Sequence, residues 1–159
     1  MGKINIGRWI LGGIVAGIGI NFLGYLVDGL VLAPFWAHAM TRLGRPGFTT
    51  SQLVWFNLIG MAMGLLAVWL YVAIRPRFGA GMRTAIYAGI ALWVATSLLP
   101  NASIMWVTGL FNNHLTLYTT AGALIELVVG TVAGAAVYRE GAAAQASATA
   151  DQRPQTARA

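Results

Sequence analysis

Four apolar runs, at residues 9–32, 53–74, 84–99 and 115–138, hold only two formal charges between them, Asp28 and Glu126. An α-helix rises about 1.5 Å per residue, so about 20 apolar residues cross a hydrocarbon core of about 30 Å. Hydrocarbon offers the backbone no hydrogen-bond partner, which leaves the helix as the only form such a run can take alone. The chain is 58% hydrophobic and 9% charged. An ordinary soluble domain carries about a quarter charged residues. Fourteen charges cannot cover a water-facing surface here, and a soluble enzyme is excluded on those grounds. The predicted fold is all-α: a four-helix transmembrane bundle over residues 1–139, followed by a disordered cytoplasmic tail over 140–159, where the composition turns to Ala, Gln, Ser and Thr.

The ends of the runs carry the topology. The second run stops at Arg75-Pro76-Arg77, where charge and a residue without an N–H both oppose a helix. The third stops at Pro100-Asn101, with a kinked continuation through Ile104 to Leu110 left open. Lys3, Arg8, Arg75, Arg77, Arg83, Arg139, Arg153 and Arg158 fall on one side of a four-span arrangement, and only Arg42 and Arg45 on the other. The positive-inside rule then puts both termini in the cytoplasm of a multi-pass inner-membrane protein. Lys3 and Arg8 before an apolar stretch imitate a signal peptide, but the stretch exceeds the usual h-region of about 7–15 residues, which favours an uncleaved span. Between the first two runs, Phe35, Trp36, Ala39, Met40 and Leu43 recur at helical spacing behind Pro34. They predict a short amphipathic helix on the periplasmic surface.

Helices in lipid associate through small residues and a few polar contacts. Gly13, Gly17, Asn21, Gly24 and Asp28 make one such face on the first run; Asn57, Gly60, Gly64, Ala67 and Tyr71 make one on the second. Thr119, Gly122, Ala123, Glu126, Gly130, Ala133 and Gly134 make a third on the last run. Glu126 and Asn21 are placed near the middle of their spans, and Asp28, Asn57 and His114 nearer the periplasmic end. A charged side chain at a span centre costs about 2.5–3.5 kcal/mol on insertion scales. No Lys or Arg lies at the depth of Glu126, so the neutral acid is the cheaper form. Glu126, Asn21, Asn57 and Asp28 form the candidate intramembrane polar site, with Asn21 expected beside Glu126 and Asp28 within reach of water, Arg42 or Arg45.

Other chemistries have little to stand on. There is no cysteine, and His38 and His114 have no ligand spacing around them, so no metal site and no cofactor is expected. No GxSxG, HExxH or phosphate-loop motif occurs, and no catalytic residue is assigned. The net charge of +6 is explained by topology rather than by nucleic acid.

The stretches GRWILGGIVAG (7–17), GYLVDGLVLAPFW (24–36), WLYVAIRPRFG (69–79) and AGAAVYRE (133–140) resemble a group of small four-span bacterial membrane proteins. That resemblance implies an inner-membrane location and a four-helix architecture, and assigns no site residues. A membrane-embedded glutamate among four spans is also similar, as physical analogy only, to the small multidrug resistance transporters. There the glutamate lies on the first span, whereas Glu126 is on the fourth. Two functions follow as expectations. The first is a non-enzymatic protein that acts by packing in the bilayer, as a homo-oligomer or beside a larger membrane partner, because the small-residue stripe exceeds what one bundle obviously needs. The alternative is a proton-coupled carrier of a small lipophilic cation working through Glu126.

Overall fold

The computed structural model describes residues 4–109 and 111–138, with the side chains of Met105 and Trp106 excepted. The tail expected over 140–159 lies outside them. Among the described residues there is no strand, and four helices are long and apolar enough to cross a membrane. They are α1 (Ile6–Val31), α3 (Thr50–Phe78), α4 (Met82–Ser103) and α5 (Asn113–Val137), and a shorter helix, α2 (Ala33–Arg42), links α1 to α3.

Each start has a local cause. The Asn5 side chain accepts from the Arg8 N–H and caps α1. Thr49 and Gln52 form a reciprocal capping box at α3, satisfying two N–H groups that the first turn cannot. The Asn112 side chain accepts from the His114 N–H at α5. Pro34 stands in the first turn of α2, where its missing N–H costs nothing.

The prolines expected to end helices do so only in part. Pro76 lies within the last turn of α3, which runs on to Phe78 and is closed by Gly79 at φ 84°. So near a helix end, the carbonyl that Pro76 leaves unbonded can be satisfied by other means. Pro100 is carried inside α4, which widens into a π turn at Val94–Leu98 just before the ring, and a second π turn, Ile104–Thr108, prolongs the helix past Ser103. The looser i→i+5 pattern absorbs a residue that would clash with the carbonyl four positions back. Gly109, at φ 59°, ends the helix. α1 is likewise α-helical only over Ile6–Gly24 and continues as a π turn, Tyr25–Val31.

α1 packs mainly on α3 and α5, and α4 packs on α5 and α3. α1 and α4 therefore take opposite corners of the bundle, with α3 and α5 between them. Ala16, Val68, Tyr71, Val72, Ala85, Ala88, Ala135 and Tyr138 form the larger core cluster, toward the end that holds Asn5, Arg75 and Tyr138. That arginine-rich end is tied by the Trp9 indole N–H to the Leu65 carbonyl (2.9 Å) and by Tyr71 and Tyr138 packed edge to face. Ile20, Ala67, Leu92 and Leu127 continue the core toward the opposite end, where α2 lies.

Candidate functional site

The predicted small-residue face of α1 divides between two neighbours. Successive residues advance by about 100° around a helix, so positions three or four apart share a face. Gly13, Gly17 and Asn21 turn toward α3: a Cβ on Gly13 would lie 2.8 Å from the Leu65 Cα, and one on Gly17 2.9 Å from the Met61 Cα. Reciprocally, a Cβ on Gly64 would meet the Gly17 backbone nitrogen, and one on Gly60 the Asn21 side-chain oxygen. Gly12, Ala16, Ile20 and Gly24 turn toward α5. A Cβ on Gly134 would come 2.5 Å from the Gly12 carbonyl, and one on Gly130 2.6 Å from Ile20 Cγ1. α1 is thus wedged between two helices at near backbone contact. Gly89 of α4 adds a third close approach, where a Cβ would lie 2.8 Å from the Val128 Cα of α5.

This division decides where the polar residues fall. Asn21 is on the α3 side, and its amide N–H donates to the Asn57 carbonyl at 3.0 Å. It makes no hydrogen bond to Glu126. Asn57 turns its own amide N–H back to the Leu53 carbonyl (2.8 Å), and its side chain is exposed. Glu126 lies on the other side of α1, against Gly24. A methyl group at Gly24 would sit 3.4 Å from Glu126 Oε2, and one at Gly122 would sit 3.6 Å from Oε1. Both are ordinary contact distances, and the close approach at Gly122 is to the Val27 side chain of α1, 2.6 Å from the Cβ position.

Asp28 shares that side. The π turn that holds Asp28 packs against α5, and among the described residues no hydrogen bond joins Asp28 to Glu126. Asp28 is tied instead by its Oδ1, which accepts from the Trp36 indole N–H at 3.0 Å. No ion pair joins it to Arg42 or Arg45, both of which are exposed. Trp36 is the functional neighbour that sequence reasoning missed. Its place in the stripe of a short amphipathic helix gives no sign that its indole reaches one helical element back to the acid.

Glu126 has no hydrogen-bond partner for its Oε1 among the described residues. The residue is 9% exposed, and that oxygen is buried. Leaving a buried polar atom unpaired costs about 1–3 kcal/mol. A neutral acid interhelically bonded to Asn21 or to a backbone carbonyl would have been an ordinary packing device; no such bond forms.

Two cavities lie farther along the same end of the bundle. One, about 60 Å³, is bounded by Trp36, Asn101, Thr116 and Thr119. Its polar wall is fixed by the Asn101 amide N–H, which donates to Thr120 Oγ1 at 2.8 Å. The other, about 470 Å³, is a half-open groove between α2 and the start of α5. Phe111 and Leu115 line both. Neither cavity is lined by Glu126. No group of three or more His, Asp or Glu able to hold a metal occurs among the described residues. The chain matches no protein-family model, no curated protein and no solved structure, so the chemistry of this region is read from its own geometry.

Proposed function

We propose that this integral membrane protein is a non-enzymatic packing subunit of a bacterial inner membrane, with both termini cytoplasmic. It associates laterally with a second copy of itself or with a larger membrane protein. The glycine seams are not the associating surface, because they are already filled within one chain. The support comes from α3. Leu53, Val54, Trp55, Phe56, Asn57, Leu58 and Ile59 are all exposed, a run of about two helical turns. Lipid suits six of them. Asn57 is the exception, since polar side chains within spans ordinarily face protein and bond across helices. Its carboxamide N–H bonds only within its own helix, to the Leu53 carbonyl, and a neighbouring helix laid along this stretch adds an interhelical partner.

The absence of native cysteine makes the test direct. Single cysteines at Val54, Asn57 and Leu58, oxidised in native membranes, are expected to give a homodimer or one defined heteromeric adduct. Monomer alone at all three positions overturns the reading. Labelling of Gly81→Cys from the periplasmic side would reverse the orientation without touching the packing.

The alternative, a proton-coupled carrier of a lipophilic cation, draws on one observation, the unpartnered Oε1 of Glu126. Proton flux into vesicles separates the two. Glu126→Gln abolishes flux in a carrier and changes nothing in a packing subunit.

A further inference from the structure

The half-open groove between α2 and the start of α5 combines two chemistries on opposite walls. Its floor is apolar: Phe111 is half-buried and Leu115 is 2% exposed. Phe35 closes one side and is held there by edge-to-face packing on Tyr118 of α5, with ring centroids 5.8 Å apart. The rim belongs to α2, where His38 and Arg42 stand four residues apart, one helical turn, and both are exposed. Arg42 makes no ion pair among the described residues. Asp28, the nearest acid on the adjoining helix, is engaged by Trp36 and does not line the groove. A fixed positive charge and an imidazole therefore overlook a groove of about 470 Å³ whose lining is apolar at Phe35, Leu43, Phe111 and Leu115 and polar at Asn112.

Few ligands match both walls at once. A free anion would leave the floor uncovered, and a neutral hydrocarbon would leave the guanidinium without a counter-charge. α2 lies at the end of the four spans, where the headgroup zone of the bilayer falls. We propose that this groove is a binding site for one acidic phospholipid, its phosphate at Arg42 and His38 and one acyl chain over Phe111 and Leu115. A planar guanidinium takes two phosphate oxygens at once, which distinguishes it from a diffuse surface charge. The net negative charge of the headgroup selects acidic over zwitterionic lipid. The site is independent of lateral association along α3, because none of its residues lies on that helix.

Native mass spectrometry of the full-length protein in mild detergent reads occupancy directly. With phosphatidylglycerol and phosphatidylcholine of equal chain length added together, one phosphatidylglycerol should be retained in preference. Arg42→Ala should reduce that retention by about five-fold, as expected for one basic contact at a membrane surface. Arg45→Ala, three residues on and outside the groove, should leave it unchanged. Leu115→Trp fills the floor and should block binding in protein that still unfolds at the native temperature. Because Leu115 is buried, Phe111→Trp serves as the second filling variant. Equal retention of the two lipids overturns the proposal. So does an equal loss in Arg42→Ala and Arg45→Ala, which would mean a general surface charge. Inorganic phosphate competing as well as the lipid would assign the rim to a free anion and overturn the lipid reading.

Discussion

The two ends of this bundle are built on different terms. At the arginine-rich end and through the middle, α1 meets α3 and α5 at glycine after glycine, with Ala16, Ala67, Val68 and Ala88 fully enclosed. At the α2 end the helices widen into π turns at Tyr25–Val31, Val94–Leu98 and Ile104–Thr108, α3 exposes seven consecutive residues, Asp28 and the two cavities are found, and Glu126 stands at the border beside Gly24. Backbone contact needs regular helices, since a π turn shifts the phase of every later residue. The close-packed half therefore fixes the fold. The looser half is where side chains are held by single hydrogen bonds, or by none, and where a ligand or partner has room.

The largest expected effects fall on the close-packed half. Gly64→Ala and Gly134→Ala each drive a methyl group into the backbone of α1, which cannot move aside as a flexible side chain would. Overpacking of this kind costs about 1–3 kcal/mol. Gly24→Ala lies on the same helix at the border of the looser half, where the methyl meets Glu126 at ordinary contact distance. It should change stability by about 0.5 kcal/mol or less. Denaturant unfolding in mixed micelles checks all three. Equal losses at all three positions would erase the contrast between the two halves.

Glu126 sharpens the comparison from the other direction. A carboxyl oxygen buried without a donor is a burden on the fold, so Glu126→Leu should raise stability by about 1–3 kcal/mol. A loss of similar size would mean that the acid holds the helices together after all. Trp36→Phe should act more weakly and more locally. It keeps the edge-to-face contacts with Phe48 and Phe111 but removes the only donor to Asp28 among the described residues. A cost of about 1 kcal/mol is expected. Hydrogen exchange should place that cost in α2 and the end of α1, with the Trp9–Leu65 region unaltered.

The contrast also explains what could be read in advance. Hydrophobic run length located the four spans, and glycines at steps of three and four located the packing faces, because both are properties of a regular helix. The same regularity misdirected the polar residues. Gly13, Gly17, Asn21, Gly24 and Asp28 share one stripe on an unbroken α-helix, which placed Asn21 beside Glu126. In the folded chain α1 is gripped from two sides, and Asn21 goes to Asn57 of α3, Gly24 to Glu126 of α5 and Asp28 to Trp36 of α2. No residue in YLVDGLV announces a π turn. The bond from Trp36 to Asp28 depends on one, and so it was not legible. Pro100 was legible as an interruption with a continuation toward Leu110 left open; the π turns that carry the helix past it were not.

The smallest expected effect bears on the bare stretch of α3. Asn57→Leu removes only a side-chain hydrogen bond to the preceding turn of its own helix. The Asn57 carbonyl that receives Asn21 is backbone and survives the change. Unfolding of the isolated protein should therefore stay within about 0.5 kcal/mol of the native value. Association is another matter, because a hydrogen bond between membrane helices contributes about 0.6 kcal/mol on average and up to about 2 kcal/mol. In membranes the same substitution should lower the yield of the Val54→Cys cross-link roughly three-fold or more, the ratio to which about 0.6 kcal/mol corresponds. An unchanged yield would assign the exposed face of α3 to lipid. A fall in both measurements would instead make Asn57 part of the fold, and the distinction between the two halves of the bundle would then have to be drawn nearer the α2 end.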